Sequence, residues 1–358
     1  MDWADLSGDL LSLIHSKLVG EDAHRFSYVC RSWRSAAKAL PCCYSPCLMH
    51  YTRRNCLWNF SQLNSCMIRM SLSDLENADI RCSNFGWLLM SRVNNTLFFF
   101  DPFNNRKIEL PCKLGCGYTA FCFSHPPTSP DCVVVGFATI YEGGKAIVKI
   151  CVLTHGSDVW EERKYKHPKF KFFVARGAPV FHRGLIYLLN VRGNVATFDL
   201  KKHGCKSAWD VNNKCLKDYQ YNKEIKEHFL FKIRGEEDTL FSVMLVNDER
   251  NVKLYRLSEE PKMKWKLEKD IGDKVLHLSH YSSSGDKAHL KCMANRIYFP
   301  RFYADSAVYY SFANGMYHSH DGHFSSTNSY DVKRLDFATW IMPTPTPESS
   351  SHGILTWF

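Results

Sequence analysis

Three histidines near the carboxyl end, His318, His320 and His323, are the densest group of side chains that could bind a metal ion. His318 and His320 are separated by one residue, so on a strand both imidazoles would lie on one face, and Asp321 could add a carboxylate ligand. Gly322 instead indicates a loop, in which histidines are usually solvated. We therefore expect no metal site here.

The fifteen cysteines form no Cys-x-x-Cys pair. Cys43 and Cys47 are four residues apart, as are Cys112 and Cys116, and this spacing is looser than that of a zinc knuckle. Without a secretory signal, a reducing compartment is expected to keep the thiols free. The cysteines predict buried or half-buried thiols and no structural zinc.

Other catalytic signatures are missing from the sequence. It contains no nucleophile elbow, no phosphate-binding glycine loop and no His-Glu-x-x-His motif. The carboxylates of residues 236–238 are consecutive, which is typical of an exposed turn and not of a buried acid–base pair. We predict no catalytic residue and no cofactor, with a metal-dependent propeller enzyme kept as an alternative.

The net charge of +10 is concentrated between Arg92 and Arg301 and is densest at residues 163–173, where Arg and Lys alternate with Tyr and Phe. Such a run could attract an acidic ligand or stack on nucleic acid. No known nucleic-acid module surrounds it, and Pro168 marks a turn. We interpret the run as a solvated linker before a strand and do not expect nucleic-acid binding; a basic module for an acidic ligand is the second alternative.

Apolar runs are too short to cross a membrane. A span needs about 18 consecutive apolar residues, whereas Leu97–Phe100 is strand-sized. The amino end carries Asp2, Asp5 and Asp9 and no early Lys or Arg, unlike a secretory signal. We expect a soluble protein of the nucleus, the cytoplasm or both.

The first forty residues predict two amphipathic helices. Ser7 is a candidate N-cap, Leu10, Leu11, Ile14 and Leu18 share one helical face, and Gly20 suits a helix end. A second stripe begins near Glu21 and Asp22, ends at Pro41, and contains the apolar residues Phe26, Val29, Cys30, Trp33, Ala36, Ala37 and Leu40. A unit this small seldom forms a sufficient core alone, so its stripe must pack on the downstream domain or on another protein.

The segment from Trp3 to Leu18, followed by Phe26–Ser35, resembles an F-box over about residues 3–45. The resemblance implies binding to the SKP-type adaptor of a cullin ligase through Leu6, Ser7, Leu10, Leu11, Ile14, Leu18, Val29 and Trp33, whereas Phe26, Cys30 and Ala37 would hold the helices together. Ser7 stands where the family usually has proline. Serine can cap the helix there, so the helix should form with adaptor affinity reduced.

From about Cys47 the sequence reads as repeated short strands. Gly86–Pro111 and Arg183–Leu200 show the pattern, in which a strand, a Gly or Asn turn and a second strand are followed by Asp-Pro or Asp-Leu. Later units span residues 239–267 and 295–311. A unit recurring about every 45 residues predicts a β-propeller of about six blades, with a range of five to seven, and a non-repeating sandwich as the alternative. Trp87, Trp160, Trp209 and Trp265 are expected in the blade core.

These blades, combined with the F-box, resemble plant F-box proteins with a kelch-like F-box-associated domain of unknown function (SKIP-type). The resemblance is carried by Gly86–Leu89, Asp101–Asn105, Ile108–Pro111 and Ile297–Phe299. It implies a fold of α+β multidomain class: a small all-α module at 1–45, a mainly-β propeller at 46–343, and a tail or closing strand at 344–358.

The sequence therefore predicts a non-catalytic substrate receptor of an SCF ubiquitin ligase. The F-box would bind a SKP-type adaptor and through it a cullin, while loops on one propeller rim would hold an unidentified target protein. Tethering would raise the effective concentration of the target at the ligase.

Overall fold

The computed structural model describes residues 3–15, 18, 26, 28–39, 46–52, 57–62, 65–70, 75, 78–111, 114–115, 117–166, 170–212, 225–246, 251–259, 262–304, 306–335, 337–342 and 356–358. Among these residues, a 3-10 turn (Trp3–Asp5) and helices α1 (Gly8–His15) and α2 (Arg31–Ala39) precede a large β region. No helix in these ranges is long and apolar enough to span a membrane.

Helix α1 begins as predicted. The Ser7 hydroxyl accepts a hydrogen bond from the Leu10 backbone N–H at 3.4 Å. Asp9 occupies the first turn, where its negative charge interacts favourably with the positive end of the helix dipole. The described part of α1 extends to His15, and residues 16 and 17 lie outside the described residues. The Leu18 N–H bonds the His15 carbonyl at 3.0 Å, a three-residue spacing. Gly20 lies outside the described residues.

Helix α2 is preceded by a turn. The predicted helix start near Glu21 and Asp22 lies outside the described residues, and Phe26 is helical. The helix predicted to continue to Pro41 is interrupted after Phe26, where the Val29 N–H bonds the Phe26 carbonyl at 3.3 Å in a turn. A new helix then starts where the Arg34 N–H reaches the Cys30 carbonyl at 3.0 Å. Val29 therefore lies in a turn and not on a helical stripe.

The β region consists of six sheets in the described part of the chain, which we number as blades. Blade 1 contains β1 (Cys47–Thr52), β2 (Leu57–Gln62), β3 (Ser65–Met70) and β27 (Thr339–Ile341); blade 2 contains β4 (Asp79–Asn84), β5 (Trp87–Ser91), β6 (Leu97–Asp101) and β7 (Arg106–Glu109); blade 3 contains β8 (Ala120–Phe123), β9 (Val133–Glu142), β10 (Lys145–Thr154) and β11 (Glu161–Tyr165).

Blade 4 contains β12 (Val180–His182), β13 (Leu185–Leu189), β14 (Val195–Phe198) and β15 (Trp209–Asn212); blade 5 contains β16 (Ile225–Phe231), β17 (Phe241–Val246), β18 (Asn251–Ser258) and β19 (Lys264–Glu268). Blade 6 is larger, with β20 (Lys274–Ser279), β21 (Ser282–Lys287), β22 (Arg296–Tyr303), β23 (Ser306–Ser311), β24 (Met316–Ser319), β25 (Ser325–Ser326) and β26 (Lys333–Arg334). The propeller prediction of about six blades is confirmed.

Strand periodicity explains why the blades are apolar on both faces. Successive side chains of a strand point to opposite faces, so Trp87 and Leu89 pack between blades 2 and 3, whereas Leu88 and Met90 pack between blades 1 and 2. Each pair of neighbouring blades shares one such hydrophobic cluster around the ring. Trp87, Trp209 and Trp265 are buried in these clusters and Trp160 packs against one, as predicted.

The ring closes through blade 1. Strand β27, from the carboxyl end, pairs antiparallel with β1, so that Cys47 faces Ile341 and Met49 faces Thr339. The closing strand is therefore Thr339–Ile341 and not part of the predicted 344–358 segment. Trp357 instead packs between blades 2 and 3, with its ring centroid 5.8 Å from Phe99.

Candidate functional site

The helical module has a small core of its own. Leu11, Phe26 and Ala36 are buried together, with Leu6, Ile14, Leu18 and Trp33 half-buried around them. The ring of Phe26 lies 4.4 Å from that of Trp33, and the Trp33 Nε1 donates to the Trp3 carbonyl at 2.9 Å. Phe26 thus holds the module together, as predicted.

The structure corrects one of the predicted adaptor contacts. Leu11 is 1% exposed and packs against Phe26 and Ala36, so its side chain is not available to a partner in this conformation. The sequence stripe included Leu11 because helical periodicity identifies an apolar face without showing which part of that face the second helix covers.

Several large apolar side chains of the module remain on its surface. Leu10 is 48% exposed and Val29 is 56% exposed, both among the predicted contacts. Trp3, Leu13 and Tyr28 are exposed as well. Leu13 lies three residues after Leu10, so the two side chains share a helical face. We call Trp3, Leu10, Leu13, Tyr28 and Val29 the module surface.

Trp3, Leu13 and Tyr28 were not predicted as contacts. For Leu13 the sequence held a signal, because it lies beside the Leu10–Ile14 stripe and is apolar. Trp3 lies in the 3-10 turn before α1 and Tyr28 in the turn before α2, so α-helical periodicity could not place them. Of the other predicted contacts, Ser7 caps α1, and Leu6, Ile14, Leu18 and Trp33 contribute to both core and surface.

The propeller encloses a cavity of about 730 Å³ at one end of the ring. We call it the central cavity. It opens where first strands of the blades end, at Ser83, Phe123 and Leu230, and the turns that follow form its mouth. Met342, directly after the closing strand β27, also lines it. The volume is in the range of ligand pockets in general, about 300–1,000 Å³.

A set of contacts joins the segment before blade 4 to blades 6 and 2. Arg176, in that segment, donates from Nη2 to the Tyr281 hydroxyl of blade 6 at 2.8 Å. The same guanidinium lies 5.5 Å from the ring of Phe337, just before β27. The Tyr281 carbonyl accepts from the Ser83 N–H of blade 2 at 2.8 Å. These contacts connect parts of the ring that are not neighbours in blade order.

Strand β21 forms one wall of the central cavity. Its Gly285 exchanges backbone hydrogen bonds with Lys232 and Arg234 of blade 5 at 3.0 and 2.9 Å. A Cβ at Gly285 would lie 2.7 Å from a Leu276 methyl and 2.8 Å from Ile233, so only glycine fits. Blade 6 thus places the serines of residues 282–284 inside the ring.

Charged groups around the central cavity are paired. Arg234 lies 3.2 Å from Asp286, and Lys232 lies 3.8 Å from Glu237. These four are the charged side chains among the described residues that line it. The cavity wall therefore has no excess of either charge, although the whole chain is at +10.

A buried ion pair lies elsewhere, between blades 5 and 6. Arg301 donates to Glu227 at 3.2 Å and also to the hydroxyls of Tyr317 and Ser329. Arg334 bonds the second carboxylate oxygen of Glu227. Since these groups satisfy one another, the cluster joins two blades and does not present a reactive carboxylate.

The histidine group does not assemble a metal site. No three His, Cys, Asp or Glu side chains of the described residues are arranged to hold a metal ion. The Asp321 carboxylate accepts from Ser319 and from the His323 N–H, which holds the pKa of Asp321 below its usual value. His318 packs on Tyr309 with ring centroids 5.5 Å apart. Cys82, Cys122, Cys132 and Cys151 are free and buried, and Cys47 is buried. Cys43, Cys112 and Cys116 lie outside the described residues.

The basic run at 163–173 places two of its aromatic rings in the core. Tyr165 and Phe172 are buried between blades 3 and 4, and Phe172 meets Trp209 at 5.3 Å. Phe170 and Phe173 are half-buried. The first part of the run is the outer strand β11 and not a linker, while residues 167–169 lie outside the described residues. Core packing therefore explains two of the rings that suggested base stacking.

Family comparisons agree with this two-part architecture. The F-box domain model matches residues 3–44, and the KIB1-4 beta-propeller model matches residues 57–328. The chain belongs to the KIB1-4 beta-propeller family. It is an F-box protein with a propeller domain, as the sequence resemblance implied.

Two relatives of this F-box protein come from Arabidopsis thaliana. F-box protein At4g00893 is 29% identical over 308 residues, covering 84% of this chain and 76% of its own. F-box/kelch-repeat protein At1g57790 is 28% identical over 329 residues, covering 88% of each chain. Among solved structures, the Cps50 (Swd1) beta-propeller domain of Myceliophteria thermophila has a TM-score of 0.35 at 9% identity, covering 79% of this chain and 84% of its own.

Proposed function

We propose that this F-box protein is the substrate receptor of an SCF-type E3 ubiquitin ligase and has no catalytic role itself. The helical module binds a SKP-type adaptor and through it a cullin. The propeller holds the target protein so that the ligase can ubiquitinate it. The complex acts in the nucleus, the cytoplasm or both.

The observation that carries this proposal is the module surface. The module buries Leu11, Phe26 and Ala36 but leaves five large apolar side chains exposed. Leu10 and Leu13 share a helical face, exposed apolar patches mark protein interaction sites, and burying one Leu or Val fully is worth roughly 1.5–3 kcal/mol. Several such residues can exceed the cost of association. The match of residues 3–44 to the F-box domain supports an adaptor of the SKP type as the partner.

The propeller supports the receptor half of the proposal. Its six blade interfaces are closed by apolar packing, which makes it a rigid platform, and its turns gather at an open cavity. Neither part needs to move a proton for the proposed role. Tethering the target near the ubiquitin thioester raises its effective concentration to the millimolar range or so.

Co-purification with a SKP-type adaptor tests the adaptor half. The double variant Leu10→Ala with Leu13→Ala should weaken adaptor binding by about 10- to 100-fold, because each truncated anchor at an interface costs on the order of 1 kcal/mol or more. Leu267→Ala, at an exposed leucine of blade 5, is the matched control and should bind like the native chain. Equal binding by the double variant and the native chain would contradict the proposal.

A further inference from the structure

We propose that the central cavity is the target-recognition site and that it takes a short uncharged peptide segment of the target protein bearing an aromatic or aliphatic side chain. This inference rests on the proposed receptor function. It specifies both the rim of the propeller that is used and the chemistry that the rim accepts.

The rim is assigned by the position of the cavity along the strands. The central cavity, of about 730 Å³, is lined by the turns that follow β4 and β8 and by residues that follow β16 and β27. We place peptide entry at this rim, where those turns lie.

The chemistry of the ligand follows from the wall. Arg234 and Asp286 neutralise each other, as do Lys232 and Glu237. A charged segment would lose hydration on entry without gaining an unpaired counter-charge. Serine hydroxyls from β21 can hydrogen-bond peptide groups, while Phe85, Phe181 and Met342 provide apolar surface. This combination favours an uncharged segment with one large apolar side chain.

Phe85 at the mouth is the residue most directly implicated. It is 36% exposed and has a backbone φ of 51°, in the left-handed region that bulky side chains seldom adopt. The two-residue turn Phe85-Gly86 joins β4 to β5, and Asn or Asp at its first position would be less strained. A strained, exposed aromatic at a cavity mouth is a feature of binding sites, where strain is retained for function.

The chain contains a matched control for Phe85. Arg183-Gly184 joins β12 to β13 in the same two-residue turn, with φ values of 48° and 78° against 51° and 77° for Phe85-Gly86. Arg183 pairs with Glu259 at 2.7 Å and does not line the central cavity. Phe85→Asn and Arg183→Asn therefore relieve the same backbone strain. The first also removes a ring contact with Phe123 (centroids 5.9 Å apart) and the second the ion pair with Glu259, so each loses a side-chain contact and only the first changes the cavity mouth.

The experiment selects binders from a random twelve-residue peptide phage library on the full chain purified with its adaptor. The expected peptides carry no net charge and share an aromatic or large aliphatic residue. F85N should weaken their binding at least tenfold, the loss expected for an aromatic anchor, and R183N should change it less than about twofold. The thermal unfolding midpoint of F85N should not fall below that of R183N, which excludes a folding defect.

A second variant guards against an ambiguous result with Phe85. Ser284→Asp adds an unpaired carboxylate to the half-buried cavity wall and should weaken binding of the same peptides at least tenfold.

Three outcomes would overturn the proposal: acidic or basic consensus peptides, equal binding by F85N and R183N, or no enrichment of any peptide. Uncharged small fragments found in the cavity by crystal soaking, without peptide enrichment, would overturn it in favour of a small-molecule site. Loss of adaptor co-purification in the same preparation would count against the proposed ligase role alone, because selection can be run on the chain by itself.

Discussion

Among the described residues of the helical module, three apolar side chains are buried and five large apolar side chains are exposed. In the propeller, each interface between neighbouring blades contains at least six buried apolar side chains. The difference lies in how each part meets its neighbours. Each blade is covered on two faces by other blades of the same chain, and β27 returns from the carboxyl end to complete the ring. Among the described residues of the module, Leu10 and Leu13 of α1 remain exposed.

This contrast separates two sources of stability. The propeller obtains its stability from contacts within the chain. The module is expected to gain part of its stability from a partner, since a ligand that binds only the folded form shifts the folding equilibrium in proportion to its concentration and affinity. Substitutions in the two regions should therefore affect different measurements.

The largest effect should come from opening a blade interface. Phe99→Ala removes a fully buried ring that contacts Phe123 and Trp357 between blades 2 and 3, and should reduce the free energy of unfolding by about 3–5 kcal/mol. Leu13→Ala, in the module surface, should change it by less than about 0.5 kcal/mol. Urea denaturation of both variants measures the two values, and similar losses would contradict the contrast.

Acidification should also weaken the propeller. Burial lowers the pKa of His228 to about 4 and that of His277 to about 3, from 6.5. The unfolded chain therefore binds these protons at a higher pH than the folded chain does. The contribution of the two histidines to the free energy of unfolding is constant above about pH 7 and falls as the pH drops through 6.5 towards 4. Between pH 7 and pH 5 each histidine should lower the free energy of unfolding by roughly 2 kcal/mol. His277→Asn should show a smaller fall over that interval in pH-dependent urea denaturation, and an unchanged slope would contradict this account.

A glycine pair sharpens the comparison further. A Cβ at Gly136 of β9 would lie 2.7 Å from the Cys151 sulfur and 2.8 Å from the Phe121 ring, so Gly136→Ala should destabilise the propeller by about 1–3 kcal/mol. Gly8, at the start of α1, has open space around its Cβ position. Gly8→Ala should leave stability unchanged or raise it by up to about 1 kcal/mol. Equal effects in thermal unfolding would show that packing density does not distinguish the regions.

The smallest effect is expected at the helix cap. Ser7→Ala removes the acceptor for the Leu10 N–H, a long hydrogen bond of 3.4 Å, and should cost the module about 0.5–1 kcal/mol. Adaptor affinity should fall severalfold, measured by calorimetry, with propeller unfolding unchanged. Ser35→Ala, at an exposed position of α2, is the control and should bind like the native chain. A Ser7→Ala variant with native affinity would mean that the cap does not support the module surface.

The propeller could be predicted because its signals are local. The run Leu97–Phe100 is buried throughout, since alternate side chains enter two different interfaces, and turns such as Asn94-Asn95 and Asn104-Asn105 mark several hairpins. The extra strand β21 could not be predicted, because its sequence of three serines, glycine and aspartate lacks strand propensity and is held by pairing with β20 and by backbone bonds to blade 5. The central cavity depends on that strand and was missed with it.

The module surface was predicted in part. Periodicity identified Leu10 as apolar and helical, but it assigned Leu11 to the same role, and only the position of Phe26 and Ala36 shows that Leu11 is covered. Closure by Thr339–Ile341 was missed for a similar reason. A three-residue strand has too few residues for a pattern, and its place is determined by pairing with β1, far away in sequence.

Hydrogen–deuterium exchange of the full chain, with and without a SKP-type adaptor, tests the central claim most directly. Amides of α1 and α2 and of the turn at Tyr28–Val29 should exchange quickly in the free chain and slow by at least tenfold in the complex, because the adaptor buries the module surface. Amides of the blade strands should exchange slowly in both states. Unchanged exchange throughout residues 8–39 at saturating adaptor would contradict the claim that a partner completes this module.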